Sequence, residues 1–406
     1  MDTNILENLQ QKAFQFFMDY TNLNEDSKGY GLTVDHSERK DLASIASTGF
    51  FLSSIVIGVK HNYISYEKGR HIVNRTLDTL LHVDHHEGFF AHFIDLNSGK
   101  RHQKSEFSTI DTALCLCGVI VVDQFFKEQD IHHKAKNILE RVNWSFLFHK
   151  KDEKDMLYMA YNPDKGGDYV EGKPGFIHHW DMFAEQLMMY VMIAGSPYHE
   201  HALSLYEGFE RKIGTYEGIT YIYSPGNALF VYQFPLAWLN LKDYIDHQGT
   251  SWFDNAKKAT LAHQKTCINH MEMYRTFKPY IFGCSASHTP KGYRVYGALP
   301  NMMGKIDTDG TIAPFSMIGS LPLLPDVILK SINEMLNIKG LEGPYGFYDA
   351  FNFEEDIPWI SSRYYAINKG LELLMLNAYL HQDIYQLFHQ HPIIQKGFEV
   401  LKWKKV

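Results

Sequence analysis

The stretch STIDTALCLCGVIVVDQFF, from Ser108 to Phe126, is apolar on every face of a helix between Ala113 and Val122. A helix without a polar side must be surrounded by protein. The segment HHKAKNILERVNWSFLF, from His132 to Phe148, is instead amphipathic, with charged residues along one side. A buried helix followed by a half-exposed one predicts two concentric helical layers.

Helical spacing recurs along the rest of the chain. Short links, such as residues 62–64 and 195–198, join the helices in pairs, and the β-branched runs of a Rossmann sheet are absent. We therefore expect an all-α fold. The predicted helices are Asn4–Tyr20, Asp41–Lys60, Ser65–Val83, Ser108–Phe126, His132–Phe148, His179–Ala194, His199–Ile213, Leu229–Tyr244, Ser251–His270, Pro325–Leu336 and Tyr364–Leu380, with a twelfth near Ala313–Ser320.

Composition narrows the class of protein. The 406 residues could form two or three domains, but no Pro- or Ser-rich linker divides them, so we expect one domain over residues 1–406. The net charge of −8 argues against a nucleic-acid partner. The longest apolar stretches have about ten residues, whereas a bilayer needs about twenty. No secretory signal is visible, which favours a cytoplasmic location unless a signal was removed.

Four long irregular segments, residues 88–107, 154–178, 273–311 and 339–363, are rich in aromatic residues. Loops of this length are usually functional or disordered, and the aromatic content argues for order. We expect them to build one face of the molecule. Residues 87–100 predict a short β-hairpin with its turn at 97–99.

Two motifs carry the principal carboxylates. In EFSTIDT, Glu106 and Asp111 stand at the mouth of the buried helix, although Ser108 and Asp111 also fit a purely structural capping box. In HHWDMFAEQLMMY, Asp181 and Glu185 are four residues apart and share one face of the predicted helix. A carboxylate on a largely buried helix should have a raised pKa, as a general acid requires. The alternative is an exposed acidic stripe.

The other candidates are aromatic residues and carboxylates that could contact a sugar. Aromatic rings can stack on the apolar faces of sugar rings, while carboxylates accept hydrogen bonds from hydroxyl groups. The same residues could equally build ordered loops. The 22 histidines include no H-E-x-x-H motif and no Cys/His cluster, so we expect no metal and no cofactor. These candidates are Tyr293, Tyr296, Asp309, Asp349 and Trp359, together with His92 as a hydrogen-bonding residue.

Six motifs follow one another in a recognisable order. They are ASIASTGFFLSSIVIG (43–58), GFFAHFIDLNSGKR with EFSTIDTAL (88–114), HWDMFAEQLMMYVMIAGSPYH (179–199), GCSASHTPKGYRVYGALP (283–300), DGTIAPFSMIGSLPLLP (309–325) and GPYGFYDAFN (343–352). Together they resemble the "putative glucoamylase" domain superfamily, which includes the endo-β-1,2-glucanases of glycoside hydrolase family 144, and the similarity extends from about residue 10 to about residue 385. A related domain occurs in cyclic β-1,2-glucan synthases.

The resemblance implies a single (α/α)6 toroid of six inner and six outer helices, with long loops forming a cleft at one end. It also implies acid–base hydrolysis of a β-linked glucan or oligosaccharide, with β-1,2-glucan favoured. Glu185 matches the family's acid, and Asp111, or less favourably Asp349, would activate water. The expected substrate-binding residues are Glu106, His92, Phe89, Trp180, Asp181, Gln233, Tyr293, Tyr296, Asp309, Phe347, Asp349 and Trp359.

The sequence departs from the family at several positions. Tyr232 and Asn240 replace a histidine and an aspartate, while Gln233 and Trp238 are retained, and Asn368 stands where an aspartate is common. Two alternatives therefore remain open. One is a transglycosylase or phosphorylase that uses Lys291 and Arg294 to hold an anion, and the other is a degenerate glycan-binding protein. The oligomeric state is not predicted.

Overall fold

The computed structural model describes residues 3–164 and 173–406. Within them, six inner helices alternate along the chain with six outer helices, which forms the expected all-α (α/α)6 toroid. The inner helices are α2 (Ile45–Lys60), α4 (Thr109–Phe125), α6 (Leu187–Gly195), α8 (Phe230–Gln233), α10 (Pro314–Ile318) and α12 (Ala366–Leu380). The outer helices are α1 (Thr3–Tyr20), α3 (Tyr66–His82), α5 (Gln129–Glu140), α7 (His199–Gly208), α9 (Trp252–Asn269) and α11 (Pro325–Leu336).

The inner helices are buried because they are apolar on all sides. Two buried serines of α2 donate to carbonyls of the helix itself, Ser53 to Gly49 and Ser54 to Phe51 over 2.7 Å. Glycines allow α2 and α4 to touch: a Cβ atom on Gly118 would lie 2.2 Å from the carbonyl oxygen of Gly49. The outer helices bury one face only.

Two further helices, α13 (Asp383–Gln390) and α14 (Pro392–Val400), cover one end of the toroid. Asp383 receives hydrogen bonds from His61, just after α2, and from Asn377 near the end of α12. His391, the residue before α14, contacts Asp123 near the end of α4 over 3.1 Å. The carboxyl ends of the inner helices are therefore closed, and their amino ends face the loops.

Short strands fold the loops over the open end. The sheet that matters most has four strands, β5, β6, β7 and β8, all paired antiparallel, with β7 in contact with the other three. The strands are β1 (Leu42–Ser44), β2 (His85–His86), β3 (Phe89–Phe90), β4 (Phe93–Asp95), β5 (Phe107–Ser108), β6 (Phe148–Lys151), β7 (Lys154–Tyr161), β8 (Phe176–His179), β9 (Ile213–Tyr216), β10 (Ile219–Ile222), β11 (Tyr244–Ile245), β12 (Ala286–Thr289), β13 (Gly292–Val295), β14 (Glu342–Gly343), β15 (Gly346–Phe347), β16 (Phe351–Asn352), β17 (Trp359–Ile360) and β18 (Lys404–Lys405).

Several predicted helices are shorter than expected, among them α7, which ends at Gly208 rather than at Ile213. The helix expected over 132–148 ends at Glu140 and is followed by a 3₁₀ turn and β6. The helix expected over 229–244 stops at Gln233, because Pro235 lacks the amide hydrogen that a continuing helix needs. The helix expected over 179–194 begins only at Leu187.

The predicted loops and hairpin are partly correct. The loop expected over 154–178 contains β7 and the start of β8, and its residues 165–172 lie outside the described residues. The hairpin expected over 87–100 keeps its turn, where Ser98 donates to Asp95, but its strands β3 and β4 pair with β2 and β1 rather than with each other.

Two further properties concern the helices and the cysteines of the described chain. None of its helices combines the length and apolar character that a bilayer crossing needs. Its four cysteines, Cys115, Cys117, Cys267 and Cys284, are buried free thiols.

Candidate active site

A cavity of about 520 Å³ opens at the amino ends of the inner helices. Its walls come from the segments at the starts of α2, α4, α6, α8 and α12 and from strand β13, so distant parts of the chain converge on it. Three carboxylates, three basic side chains and several aromatic rings line it. The lining residues are Asp35, His36, Arg39, Leu42, His92, Phe93, Ile110, Asp111, Leu114, Glu185, Phe230, Phe234, Tyr293, Tyr365 and Ile367.

Glu185 lies in the wall of this cavity, two residues before α6 begins. Burial raises its pKa, its own backbone amide opposes the shift, and the nearby Asp111 carboxylate raises the pKa further, to about 7. Near neutral pH such a group is still substantially protonated, which is the state that a general acid needs.

The i, i+4 argument that placed Asp181 beside Glu185 on one helical face is wrong. The side chain of Gln186 bonds the backbone of this segment, accepting from the Ala184 amide over 2.7 Å and donating to the Met182 carbonyl over 2.8 Å. These bonds compete with helical hydrogen bonds, so the segment is irregular. Asp181 is exposed and does not line the cavity.

The four-stranded sheet positions both principal carboxylates. Strand β7 pairs Ala160 with Ser108, just before α4, and pairs Tyr158 with His179, shortly before Glu185. The indole of Trp180 donates to the Thr109 hydroxyl over 2.9 Å, and that hydroxyl donates to the Met159 carbonyl over 2.7 Å. One hydrogen-bonded unit thus fixes the segments that carry Asp111 and Glu185.

Asp111 occupies the first turn of α4 and combines the two roles considered for it. Its amide donates to the Ser108 hydroxyl over 3.2 Å, and that hydroxyl donates to Asp111 Oδ2 over 2.6 Å. Ser108 and Asp111 therefore form the capping interaction that the sequence allowed. Its other oxygen, Oδ1, remains directed toward His92 at the cavity.

His92 also lines the cavity and lies between two carboxylates. Its Nδ1 is 2.9 Å from Glu106 Oε1, and its Nε2 is 3.6 Å from Asp111 Oδ1. Burial opposes the charged imidazole, but Asp111, Glu106 and Asp35 outweigh that effect and raise the His92 pKa to about 9. Glu106 thus acts on the site through His92.

Asp35 is a site residue that sequence reasoning missed. Its pKa is raised to about 6 by burial and by Asp111, against lowering by His92 and Arg39. No protein group within the described residues hydrogen-bonds its carboxylate, which leaves it available to a ligand. Isolated bridges hold the loop that carries it, Val34 to nearby Ala43 and His36 to Tyr365, and the second joins segments too far apart in sequence for a local pattern to predict.

The aromatic lining differs from the expected set. Of the six aromatic residues predicted to contact substrate, Tyr293 lines the cavity, with its ring 5.1 Å from that of Tyr365. Burial and the carboxylates of Asp349, Asp35 and Glu185 raise the Tyr293 pKa. The rings that sequence reasoning missed are Phe93, Phe230, Phe234 and Tyr365.

Four predicted contact residues are instead parts of the core. Phe89 and Phe347 are 1% exposed, and Phe89 packs edge-on against Trp144. Trp180 is 5% exposed, and its indole N–H donates to the Thr109 hydroxyl. Gln233 is fully buried and donates to the Ser316 carbonyl and the Ser320 hydroxyl. Their direct contact with substrate is not supported, because each side chain is enclosed by protein.

The remaining predicted contacts are absent from the lining of the cavity. Asp349 is 4% exposed, and its oxygens accept from the His288 amide and the Asn368 side chain, each over 2.7 Å. Asp309 accepts from the amide and hydroxyl of Thr311 and raises the pKa of neighbouring Tyr296 together with burial. Trp359 packs edge-on against His288.

The expected anion donors do not face the cavity. Lys291 and Arg294 are exposed on the β12–β13 hairpin and are absent from the lining. Across residues 3–164 and 173–406, no group of three or more His, Cys, Asp or Glu side chains is arranged to hold a metal ion.

The toroid with a carboxylate-bearing cavity at its open end defines the class of protein, and solved structures share this fold. A structure titled putative glucoamylase from Bacteroides uniformis is 23% identical, with a TM-score of 0.86 over 100% of this chain and 98% of its own. An endo-β-1,2-glucanase from Chitinophaga pinensis, in complex with sophorotriose and glucose, is 22% identical, with a TM-score of 0.85 over 100% and 99%.

The family model described as "Putative glucoamylase" matches residues 177–392, and the chain belongs to that family. A curated relative from Parabacteroides distasonis, named exo beta-1,2-glucooligosaccharide sophorohydrolase (non-reducing end), is 24% identical over 99% of this chain. The chain spans 58% of that relative's length.

Proposed function

We propose that this chain is a glycoside hydrolase that cleaves a β-linked glucan or oligosaccharide, with β-1,2-linked glucose as the favoured substrate. The observation that carries the proposal is the occurrence of Glu185, whose pKa is raised to about 7, and Asp111 in one aromatic-lined cavity. A protonated carboxyl group and an ionised one are the pair that glycosidic hydrolysis uses. The similarity to a sophorohydrolase and to an endo-β-1,2-glucanase supports the choice of linkage.

In the proposed mechanism, Glu185 donates its proton to the leaving glycosidic oxygen. Asp111 accepts a proton from a water molecule that attacks the other face of the sugar ring. Asp111 is preferred to Asp349 as the base, because both oxygens of Asp349 already accept protein hydrogen bonds. Tyr293 and Tyr365 provide ring surfaces against which a sugar can pack.

Product analysis tests this function. The wild-type chain is incubated with β-1,2-, β-1,3- and β-1,4-glucans and their oligosaccharides, and the products are separated by chromatography. We expect new short products from the β-1,2-linked substrates. Preferential cleavage of another linkage would overturn the substrate assignment, and intact substrate in every incubation would overturn the hydrolase assignment in favour of glycan binding alone.

A further inference from the structure

Both ring nitrogens of His92 face carboxylates. Nδ1 lies 2.9 Å from Glu106 and Nε2 lies 3.6 Å from Asp111, while the ring stacks on Phe93 at a centroid distance of 3.8 Å. A neutral imidazole has one N–H and one bare nitrogen, so one lone pair would point at a carboxylate oxygen. A doubly protonated ring fits this position, since its Nδ1–H then donates to Glu106 and its positive charge attracts Asp111.

The two contacts of His92 differ in kind. The distance to Glu106 is that of a hydrogen bond, whereas 3.6 Å to Asp111 Oδ1 is too long for one and leaves an attraction between charges. Because Ser108 already occupies Oδ2, Oδ1 keeps its lone pairs for a ligand or water. His92 can therefore attract Asp111 Oδ1 without blocking the atom that would take a proton.

The groups that face His92 come from three elements. Asp111 belongs to α4, Glu106 precedes β5, and Asp35 comes from the loop before β1, where Arg39 in turn acts on Asp35. On the far side of Asp111, Glu185 experiences the Asp111 charge. The imidazolium of His92 thus stands among several carboxylates that would otherwise compete for protons.

We propose that His92 is a positioning residue whose imidazolium, held by Glu106, attracts Asp111 Oδ1 and keeps a positive charge beside the carboxylates of the cavity. The inference rests on the proposed hydrolase function, and it gives His92 a role different from a hydrogen bond to substrate. Loss of the cation would remove a charge that lowers the Asp35 pKa, so that the cavity would lose a charged carboxylate at a higher pH than in the wild type.

The charge of His92 can be measured without any substrate. In the full chain with ¹⁵N-labelled histidine, the His92 ring signals are assigned by their loss in His92→Asn and followed from pH 5 to pH 10 by NMR. We expect both ring nitrogens to be protonated at pH 7. A neutral His92 ring at pH 7 would overturn the inference whether or not the chain cleaves a glucan.

The pH dependence of kcat/KM on a β-1,2-linked oligosaccharide tests the consequence. In His92→Asn, the acidic limb should move to higher pH, because the variant lacks a charge that lowers the Asp35 pKa. His92→Lys restores a positive charge and should return the limb toward its wild-type position. His86→Asn removes a half-buried ring that stacks on Tyr161, and should leave the limb unmoved.

Two results of this profile would contradict the role. One is a His92→Asn profile that is lower at every pH with both limbs in place, which indicates a structural effect only. The other is a His92→Lys profile that coincides with that of His92→Asn, which would exclude charge as the cause. Thermal unfolding of each variant establishes that the compared proteins are folded. Failure of the wild type to cleave any glucan would instead overturn the proposed function, and the NMR titration would still decide the charge.

Discussion

The protonation of Glu185 sets the pH range in which the proposed reaction can occur. Its pKa of about 7 is raised mainly by burial. Since the acid must carry a proton, the wild-type rate should fall about tenfold for each pH unit above this pKa. Measurement of kcat between pH 5 and pH 9 tests this expectation. A rate that stays constant from pH 7 to pH 9 would exclude Glu185 as the acid.

Asp35 should contribute to substrate binding, because its carboxylate faces the cavity without a protein partner among the described residues. A hydrogen bond from a sugar hydroxyl to a charged acceptor contributes about 1.5–3 kcal/mol. We therefore expect Asp35→Asn to lower kcat/KM on a β-1,2-oligosaccharide by about tenfold to a hundredfold.

The matched control for Asp35 is Asp26→Asn, an exposed aspartate earlier in the same region of the chain. It should leave kcat/KM within about twofold of the wild type, as most surface substitutions do. Equal losses in the two variants, or no loss in Asp35→Asn, would remove Asp35 from the binding site.

Residue patterns predicted part of this site. Asp111 and Glu185 stood out because carboxylates beside apolar helices are unusual, and both line the cavity. His92 and Tyr293 were also found. Asp35 and Tyr365 were missed, because they reach the cavity through bridges between segments that are far apart in sequence.

At the scale of elements, the helices that obeyed local rules were predicted well. Helix α11 has the predicted bounds, and α4 begins at its Ser108 cap. The start of α6 was missed because the Gln186 side chain, rather than the backbone, satisfies the preceding turn. Side-chain competition of this kind depends on the tertiary structure and leaves no periodic signal.

Trp180 provides a prediction at this scale, because its indole joins the segment before Glu185 to the start of α4. Trp180→Phe keeps an aromatic ring but removes the N–H donor. We expect the free energy of unfolding to fall by about 1–3 kcal/mol, since the Thr109 hydroxyl loses its buried hydrogen-bond donor. We also expect kcat to fall more than KM rises, because the two carboxylates lose their common support.

Trp359→Phe is the comparison variant for Trp180, since Trp359 is partly exposed and packs against His288. It should change stability less than Trp180→Phe does. Urea unfolding and steady-state kinetics measure both quantities. A rise in KM with kcat and stability unchanged in Trp180→Phe would support sugar stacking, as the sequence first indicated, and would contradict the supporting role.

At the scale of the whole molecule, we expect a substitution at the closed end of the toroid to lower stability without lowering activity at the catalytic end. Asp123 is buried between His132 and His391, and it lies about 18 Å along α4 from Asp111. Asp123→Ala leaves both histidines without their partner, so we expect a loss of about 2–4 kcal/mol in the free energy of unfolding. Activity well below the unfolding temperature should be retained.

Asp130→Ala, on the exposed face of α5, is the control for Asp123 and should change stability by less than about 0.5 kcal/mol. Thermal unfolding and activity at 20–25 °C measure the two effects. If Asp123→Ala abolished activity while the protein remained folded and equally stable, the two ends would be coupled, contrary to this description.

The central claim is that Glu185 acts as the acid of a β-1,2-glucan hydrolase, and one comparison tests it most directly. The release of reducing ends from β-1,2-linked glucooligosaccharides is measured at pH 6 for the wild type and for Glu185→Gln. We predict release by the wild type and a loss of about 10²–10⁴-fold in the folded variant, the usual contribution of general acid catalysis. Equal rates in the two proteins, or no release by the wild type, would contradict the claim.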